Sequence, residues 1–385
     1  MREDQRVAPG NASTLIHARR VLTGLATPAD PADGWVLVEA GVVADLGPGA
    51  PPATPDLEID GWLAPAYVDI HCHGGGGGDF TSADTDSIRA AAAFHAEHGT
   101  GSLLASLVTG PIDDLCRQLS AIADVIEAGD TVIRGAHLEG PYLSAARCGA
   151  QNPAYLSDPD VGDFARMVDA ARGTLRMITV APERQGAAAL IDAAQAAGVT
   201  VAVGHTDGTY DECSAAFAAG ASVATHLFNG MRPLHHREPG PIGASLDAGA
   251  WVELINDGIH LHPATLRVVL EARPERAVLI TDAIAAAGLP DGEHRLGGLA
   301  VTVKDGAARL TEGGSLAGST LTMDDAVRRA VAADVPLPLA VAAATSHPAA
   351  AVGLTGRGSI AIGQPADLLQ LSDDLAAAPV PTPAD

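Results

Sequence analysis

Short apolar runs alternate with alanine-rich helical segments through the middle of the chain. Eight such runs occur, at 66–70, 102–108, 132–138, 175–181, 199–204, 222–227, 251–256 and 277–282. Most connections between them are long enough for a helix, for example 86–99 and 186–198. Strands that alternate with helices indicate parallel β/α units. Eight units predict a closed (β/α)8 TIM barrel, and residues 63–356 supply the ~250 residues that this fold typically needs.

The two ends of the chain have a different, β-rich pattern. Residues 1–62 and 357–385 carry short alternating or β-branched runs separated by turns. We predict an α/β protein in which both ends build one small β-sandwich domain beside the barrel. The first residues are polar, and no stretch approaches the ~20 apolar residues of a membrane span. We therefore expect neither a signal peptide nor a transmembrane helix.

Metal-ligand residue types stand at the carboxyl ends of five predicted strands. They are His71, His73, Glu139, His205, His226 and Asp282. The active site of such a barrel lies at the carboxyl ends of its strands, so residues distant in sequence meet there. Imidazole and carboxylate groups bind Zn²⁺, Fe²⁺ and similar ions, and residues i and i+2 of a strand share a face. One such histidine alone is better explained as a buried structural residue, but the whole set predicts a metal site.

Four further segments permit both a functional and a structural interpretation. Gly74–Gly78 are not a phosphate loop, because the one lysine of the chain is Lys304. These glycines either bring the backbone close to the metal or form a plain loop. The loop 229–240 carries two histidines and two arginines among its residues, and it either holds a phosphate or is simply solvated. His260 and the small residues at 313–323 contact a ligand, or they cap and precede helices.

Composition and charge narrow the classes of partner. The chain has 385 residues, with 23 basic and 47 acidic side chains and a formal net charge of −24. Such a charge repels nucleic acid and acidic membranes, so neither is expected as a partner. The four cysteines have neither C-x-x-C spacing nor that of a disulfide framework, which favours a reducing cytoplasm.

Several segments, in one consistent order, resemble a known family. They are PAYVDIHCHG, HLEGPYLS, GHTDGTYDE, THLFNGM with HHREPG, NDGIH, LITDA and LAGSTLTM, spread from residue 65 to residue 323. The chain resembles the N-acetylglucosamine-6-phosphate deacetylases of the amidohydrolase superfamily over nearly its whole length. The resemblance implies that the metal ligands are Glu139, His205 and His226, with His71 and His73 for a second ion, and that the catalytic carboxylate is Asp282.

The resemblance also implies a set of substrate contacts. They are Gln151, Asn229, Gly230, Arg237, His260, Leu316, Ala317 and Gly318, with Arg237 reaching across from the neighbouring subunit of a homodimer. Gln151 departs from the family, which often has a histidine there that contacts the acetyl carbonyl. Glutamine donates a hydrogen bond but carries no charge. Many binuclear amidohydrolases bridge their ions with a carboxylated lysine; because Lys304 lies in a predicted hairpin, Glu139 is the expected bridge.

The implied activity is metal-dependent hydrolysis of the acetamide of N-acetylglucosamine-6-phosphate, in amino-sugar catabolism and cell-wall recycling. One or two divalent ions per subunit are expected, Zn²⁺ or Fe²⁺. Asp282 takes the proton of the attacking water and passes it to the leaving amine. The alternatives are another amidohydrolase, either dihydroorotase-like or acting on N-acyl amino acids, and a non-catalytic scaffold, which should lack a full ligand set.

Overall fold

The computed structural model describes residues 13–25, 32–129 and 131–381. Its first strands are β1 (Ser13–Val21), β2 (Ala32–Glu39), β3 (Val42–Pro48) and β4 (Leu57–Pro65). The polar start of the predicted 1–62 segment and the last four residues of the predicted 357–385 segment lie outside the described residues.

Strands and helices alternate from Tyr67 onward. The strands, including one short glycine hairpin, are β5 (Tyr67–Cys72), β6 (Gly74–Gly75), β7 (Gly78–Asp79), β8 (Thr100–Val108), β9 (Ile133–Glu139), β10 (Leu175–Val180), β11 (Thr200–Val203), β12 (Val223–Ala224), β13 (Trp251–Ile255) and β14 (Ala277–Ile280). The helices that separate them are α1 (Thr85–Glu97), α2 (Ile112–Ala128), α3 (Val161–Ala171), α4 (Ala187–Ala196), α5 (Tyr210–Ala218), α6 (Gly240–Asp247) and α7 (Pro263–Ala272).

A small three-stranded sheet, three helices and two strands of another sheet follow the last barrel strand. These elements are β15 (Gly292–Leu296), β16 (Leu299–Lys304), β17 (Ala307–Leu310), α8 (Met323–Ala332), α9 (Leu337–Ala343), α10 (Ser346–Ala351), β18 (Leu368–Leu371) and β19 (Ala377–Pro379). The hairpin predicted around Lys304 is the β16–β17 pair, whereas β15, its third strand, was not predicted from the sequence.

The eight predicted apolar runs each overlap one strand of a parallel eight-stranded sheet. Its order is β5-β8-β9-β10-β11-β12-β13-β14, which is the order along the chain. The N–H of Asp282 donates to the carbonyl of His71 at 2.8 Å, so the ends of β14 and β5 meet as well. The predicted TIM-barrel architecture is confirmed, and the ends of all eight strands face one common cup.

The strands of the two chain ends form one six-stranded sheet, of order β19-β18-β4-β1-β2-β3. Here β4 pairs in parallel with β1 and antiparallel with β18, so the first and last parts of the chain share one sheet. Its apolar face has a core of its own, which includes Ile16, Val36, Ile59 and Leu368. The prediction that both chain ends build one small β domain beside the barrel is confirmed, with its described strands in one sheet. The domain limits 1–62, 63–356 and 357–385 stay predictions.

Local sequence explains the helices that surround the barrel. In α2, Leu115, Leu119 and Ile122 recur at helical spacing, and all three are buried against the sheet. The helix ends at Gly129, whose φ of 81° is the left-handed conformation that glycine adopts without a Cβ clash. The TYDE segment forms a capping box at the start of α5, in which Thr209 and Glu212 bond each other's backbone N–H.

Membrane spans were searched for among the described helices. None of them is both long enough and apolar enough to cross a bilayer.

Candidate metal centre

The six predicted metal-ligand side chains meet at the carboxyl ends of the barrel strands. His71 lies on β5, Glu139 ends β9, and the others follow β5, β11, β12 and β14 within a few residues. All six are at most 6% exposed. Cys72, between the first two histidines, points away from them, and its Sγ lies 3.1 Å from Nε2 of His95 on α1. The alternation of side chains along β5 thus separates Cys72 from the two histidines.

Glu139 lies at the centre of the cluster. Its Oε1 is 2.9 Å from Nε2 of His205 and 2.9 Å from Nε2 of His226. Its Oε2 is 3.3 Å from Nε2 of His73, on the other side of the carboxylate. Nε2 of His71 lies farther off, 3.7 Å from Oε1. Glu139 therefore stands between the two histidines of β5 and the two that follow β11 and β12, and its role as a bridge stays a prediction.

Asp282 stands on the His71 and His73 side of the cluster. Its Oδ1 is 3.1 Å from Nε2 of His73 and 3.5 Å from Nε2 of His71. The two histidine Nε2 atoms are 3.2 Å apart. We refer to His71, His73 and Asp282 as the inner half of the cup, and to His205 and His226 as the outer half.

All four histidines present the same nitrogen to the centre because the other nitrogen is engaged elsewhere. Nδ1 of His71 lies 3.0 Å from a carboxylate oxygen of Glu253. Nδ1 of each of the others lies close to a backbone carbonyl: His73 to Ser106, His205 to Arg147 and His226 to Asn229, at 2.8–3.2 Å. An acceptor at Nδ1 fixes the proton there and leaves the lone pair of Nε2 free for a metal ion.

The electrostatics of the cup favour positive charge at its centre. Burial raises the pKa of Glu139, but the charges of His205 and His71 outweigh burial and hold that pKa well below its ordinary value. Burial lowers the pKa of His73, but hydrogen bonds to Asp282 and Glu139 raise it to about 9. In both cases the carboxylates and the imidazoles stabilise each other's charged forms. A divalent cation at the centre would stabilise the negative charges of Glu139 and Asp282 in the same way.

The donor atoms fit two ions that share Glu139. The atoms of His71, His73 and Glu139 lie within 4.8 Å of one another, and so do those of Glu139, His205 and His226. Nitrogen and oxygen donors without thiolate suit Zn²⁺ and Fe²⁺. The residues present therefore fit a divalent metal centre.

Three cup residues have backbone conformations that non-glycine residues rarely adopt. The φ angles are 45° at His205, 28° at His226 and 50° at Asp282. A positive φ costs a side-chain-bearing residue about 1–3 kcal/mol and persists where the surroundings impose it. All three residues come directly after strands, where the chain must turn while its side chain still faces the cup.

The glycine run after His73 forms the β6–β7 hairpin. A Cβ on Gly75 would lie 2.5 Å from Cδ1 of Phe94 and 2.7 Å from Nε2 of His95, so α1 packs directly on the glycine backbone. The N–H of Gly76 donates to the carbonyl of Ala287 at 2.8 Å. These glycines bring the chain close to α1 and to the segment after β14, and their approach to a metal ion stays a prediction.

A cavity of about 290 Å³ opens beside the outer half of the cup. It is lined by Glu139, Gly149, Ala150, Gln151, His205, His226, Asn229, Gly230, His260, Asp282, Ser315 and Leu316. Five of the predicted substrate contacts are therefore placed together beside the metal ligands. Gly149, Ala150 and Ser315 were not predicted. Each is one or two residues from a predicted contact, so their position in the sequence could have indicated that they line the cavity.

Gly318 and the residue after it contact the backbone of Asp282. A Cβ on Gly318 would lie 2.7 Å from the carbonyl oxygen of Asp282, and its φ is 61°. The next residue, Ser319, donates its N–H to that same carbonyl at 2.7 Å. Ala317 is fully buried in the apolar cluster of the small sheet, while Leu316 lines the cavity.

Gln151 is tied to the metal-ligand carboxylate. Its Oε1 accepts the N–H of Thr109 at 2.7 Å, so its amide nitrogen must face the other way. Nε2 then donates to Oε2 of Glu139 at 2.6 Å. An amide nitrogen carries two hydrogens, so one remains for a ligand. Its contact with a substrate carbonyl stays a prediction.

Asn229, Gly230 and His260 shape the outer wall of the cavity. A Cβ on Gly230 would lie 2.9 Å from Nδ1 of His205, so a glycine is needed where this loop approaches the ligand. Nδ1 of His260 lies 2.7 Å from Oδ2 of Asp257, which leaves Nε2 of His260 for a ligand. Asp257 was not predicted, although it belongs to the NDGIH segment.

Arg237 lies outside this cavity. It is exposed, its Nη1 is 2.8 Å from Nε2 of His236, and it lines a separate cavity with Arg232 and Tyr210. The prediction that it acts from a neighbouring subunit is not tested by a single chain.

Buried polar residues below the cup were missed by sequence reasoning. Nδ1 of His137 lies 2.9 Å from Oγ of Ser106, and its Nε2 lies 2.8 Å from Oγ1 of Thr179. Burial holds the pKa of His137 well below its ordinary value, so this histidine is neutral. Glu253 is the other member of this layer. In the sequence, each of these residues is recognisable only as a single polar residue within an otherwise apolar strand.

Comparison with known proteins agrees with this geometry. Residues 62–382 match the amidohydrolase family model. An N-acetylgalactosamine-6-phosphate deacetylase of Escherichia coli is 38% identical over 372 residues, covering 94% of this chain and 96% of its own length. An N-acetylglucosamine-6-phosphate deacetylase of Bacillus subtilis is 35% identical over 355 residues, covering 89% of each chain.

A solved structure of high similarity extends the comparison to the fold. It is a mutant of the N-acetyl-D-glucosamine-6-phosphate deacetylase of Mycobacterium smegmatis in complex with N-acetyl-D-glucosamine-6-phosphate. The two chains are 46% identical, with a TM-score of 0.91 and coverage of 95% of this chain and 97% of that one. The chain therefore belongs to the amidohydrolase family, and within it to the N-acetylglucosamine-6-phosphate deacetylases.

Proposed function

We propose that this enzyme hydrolyses the acetamide of N-acetylglucosamine-6-phosphate. The amide C–N bond is broken by water, and the products are acetate and glucosamine-6-phosphate. The observation that carries the proposal is the complete six-residue cup beside a cavity, in a chain that is 46% identical to an enzyme solved with this sugar phosphate. A full ligand set argues against a non-catalytic scaffold. The relatives do not favour a dihydroorotase-like or N-acyl amino acid activity.

The inner and outer halves of the cup would hold one or two divalent ions through Glu139, which Zn²⁺ or Fe²⁺ fits best. A bound ion supplies Lewis-acid chemistry, because it polarises a carbonyl and lowers the pKa of water. The chain's own residues orient these groups and move the protons.

Asp282 is the proposed general base and acid. Burial raises its pKa, but the hydrogen bond with His73 and the charges of His71 and His73 hold the pKa below its ordinary value. The carboxylate is therefore ionised near neutral pH and can accept the proton of the attacking water. Passing that proton to the amine lets the C–N bond break with a neutral leaving group.

Residues of the cavity would orient the acetamide. Gln151 lines the cavity and has one amide N–H left after its bond to Glu139, which is the proposed donor to the acetyl carbonyl. A donor that meets charge as it develops on this oxygen stabilises the transition state. His260, with Nδ1 held by Asp257, and Leu316 contact other parts of the sugar.

The phosphate would be bound by Asn229, Gly230 and Arg237. An arginine that meets a phosphate makes a charge-assisted, bidentate contact. Because Arg237 is exposed and lies outside the cavity, we propose a homodimer in which it reaches the site of the neighbouring subunit. We also propose a cytoplasmic location, in amino-sugar catabolism and cell-wall recycling, which is compatible with four free cysteines.

A second sugar phosphate, N-acetylgalactosamine-6-phosphate, is a candidate substrate. The relative that is 38% identical over 94% of this chain is an N-acetylgalactosamine-6-phosphate deacetylase. The two sugars differ in the configuration of one hydroxyl, at C4, which is remote from the acetamide at C2. The same cup could therefore process both, and discrimination depends on the sugar contacts.

Acetate release by the purified enzyme tests the proposal. We expect the highest kcat/KM with N-acetylglucosamine-6-phosphate, a lower value with the galactose epimer, and a much lower value with unphosphorylated N-acetylglucosamine. Preference for the galactose epimer would establish the second substrate instead. Equal rates with and without phosphate would contradict both, and would reopen the wider amidohydrolase activities.

A further inference from the structure

An acidic side chain lies in the interior of the barrel beneath the metal ligands. Glu253 is the middle residue of β13, in the apolar run WVELI, and it is completely buried. Removing a carboxylate from water is costly unless charge and hydrogen bonds compensate for the loss. The structure pairs this carboxylate with His71. Its Oε1 has no hydrogen-bond partner among the described residues.

The other oxygen of Glu253 contacts both halves of the cup. Oε2 lies 3.0 Å from Nδ1 of His71, in the inner half. The same atom accepts the backbone N–H of His226 at 3.1 Å, in the outer half. One oxygen atom therefore orients the ring of His71 and holds the main chain of His226. At His226 the backbone needs such a constraint, because its φ is 28°.

Glu253 is also the exception among the groups that orient the four histidines. His73, His205 and His226 are oriented by backbone carbonyls, which any sequence provides. His71 depends on a side chain from another strand. A carboxylate at Nδ1 fixes the tautomer and makes the imidazole a stronger donor to a metal ion than a carbonyl does.

We propose that Glu253 is a positioning residue of the metal centre. It orients His71 through Nδ1 and His226 through its backbone, and its negative charge strengthens the binding of divalent ions in the inner half. The inference rests on the metal centre of the proposed function, but not on the identity of the substrate. This role explains why a carboxylate that takes no part in the proposed proton transfers is buried beneath the metal ligands.

Metal affinity of purified variants tests the proposal without an activity assay. Glu253→Gln keeps an oxygen that can accept both N–H groups but removes the charge, whereas Glu253→Ala removes both. The metal-free proteins are titrated with Zn²⁺ against a chelator, and bound ions per subunit are counted by elemental analysis. We expect the Zn²⁺ affinity of the inner half to fall about 10–100-fold in Glu253→Gln. We expect a larger fall in Glu253→Ala, with the outer half also affected through His226.

A matched control separates positioning from general packing. Ser245→Ala removes another completely buried polar group, whose Oγ donates to the carbonyl of Pro241 within α6. Its Zn²⁺ affinities should equal those of the wild type. The proposal is overturned if folded Glu253→Gln binds both ions as tightly as the wild type, or if Ser245→Ala loses affinity to the same extent. If Glu253→Ala does not fold, Glu253→Gln decides.

Kinetics then distinguish this inference from the proposed function. A wild-type enzyme that binds two ions but releases no acetate from either sugar phosphate contradicts the function and leaves the role of Glu253 standing. An active enzyme whose Glu253→Gln variant has unchanged Zn²⁺ affinities contradicts the positioning role alone.

Discussion

The inner and outer halves of the cup hold similar ligands in different ways. His71 and His73 lie on or next to β5, they are 0% and 2% exposed, and neither lines the cavity. His205 and His226 follow their strands with left-handed backbones, line the cavity, and are oriented by carbonyls of loop residues Arg147 and Asn229. The inner half is therefore part of the barrel, and the outer half is part of its loops.

This difference separates metal binding from substrate recognition within one centre. Loops can change around the outer half and alter the substrate, because residues such as Asn229 and Gly230 both orient ligands and line the cavity. In the inner half, His71 and His73 have no such contact, and only Asp282 reaches the cavity. We therefore expect changes of His71 and His73 to affect the number of bound ions, and changes of the outer histidines to affect ions and substrate together.

The largest expected effect is at Asp282, where the inner half reaches the cavity. Asp282→Asn keeps the shape of the side chain but cannot accept a proton, so kcat should fall about 10²–10⁴-fold. Metal content should remain close to that of the wild type, because the histidines and Glu139 are unchanged. Steady-state kinetics and elemental analysis of the same sample check both points. A variant within tenfold of wild-type turnover would exclude the assigned role.

Paired histidine variants test whether the halves bind separate ions. His71→Ala with His73→Ala should leave one ion per subunit, held by Glu139, His205 and His226. His205→Ala with His226→Ala should leave the other ion and also weaken binding of the sugar phosphate. Elemental analysis counts the ions, and isothermal titration with substrate measures binding. If both double variants retain as many ions as the wild type, these side chains are not the ligands.

Sequence periodicity predicted the barrel because each strand is a short, nearly continuous apolar run. It also indicated which side chains meet in the cup, since metal-binding residue types stand at the carboxyl ends of those runs. Glu253 was missed for a physical reason: one acid does not alter the pattern of WVELI, and its partner His71 lies 182 residues away. The bond between Gln151 and Glu139 could not be predicted either, because Thr109, which fixes the orientation of the amide, follows a different strand, β8.

Gln151 reaches Glu139, the residue that both halves share. Gln151→Ala removes a donor to a buried carboxylate and a candidate donor to the acetyl carbonyl, so kcat should fall by about 10²–10³. Gln151→His restores a donor at the position where the family often has histidine, and activity should survive. Kinetics and metal content are measured together. Loss of kcat with full metal content indicates the carbonyl contact, whereas loss of both indicates positioning of Glu139.

An unchanged Gln151→Ala variant would contradict both roles. Carbonyl polarisation would then rest on the other groups of the cup. Gln151→Glu is the matched probe, because it keeps the size but places a second negative charge beside Oε2 of Glu139.

Arg237 tests whether the outer half extends into a second subunit. Arg237→Ala should raise KM for the sugar phosphate about 10–150-fold, which corresponds to ~1.5–3 kcal/mol for a lost charge-assisted bond. Activity on unphosphorylated N-acetylglucosamine should change little. Arg295→Ala, an exposed arginine of the small sheet, serves as the control. Equal losses on both substrates would show that Arg237 does not bind phosphate.

Mixing two impaired variants tests whether Arg237 acts in the site of the neighbouring subunit. In a heterodimer of Arg237→Ala and Asp282→Asn, one site would combine an intact Asp282 with an intact Arg237 from its neighbour. Activity at low substrate concentration should therefore rise on mixing. No rise in a sample shown to exchange subunits would place Arg237 in its own subunit's site.

The smallest expected effect concerns the helix behind the inner half. His98 follows α1, and its Nδ1 lies 3.3 Å from Oδ1 of Asp324 in the first turn of α8. The hydrogen bond with Asp324 raises the pKa of His98. Burial raises the pKa of Asp324, but the bond with His98 outweighs burial and lowers it. The His98 contribution to stability is therefore complete below pH ~6.5 and is lost as pH rises through the raised pKa. The Asp324 contribution is complete above pH ~3.9 and is lost as pH falls through the lowered pKa.

The thermal stability of His98→Ala should thus fall below that of the wild type most clearly between pH ~4 and 6.5. The difference should fade at higher pH. His98 is 35% exposed, so solvent weakens the pair, and we expect only ~0.2–1 kcal/mol. His294→Ala removes a histidine that contacts the carbonyl of Pro290, and it should show no such pH dependence.

Metal content of the same His98→Ala variant is a second measurement. A large loss of metal would mean that the ion pair of His98 and Asp324, and not the packing of α1 on the glycine hairpin, supports the inner half. The small effect expected here follows because Ile88 and Ala91 of α1 are completely buried and hold the helix in place.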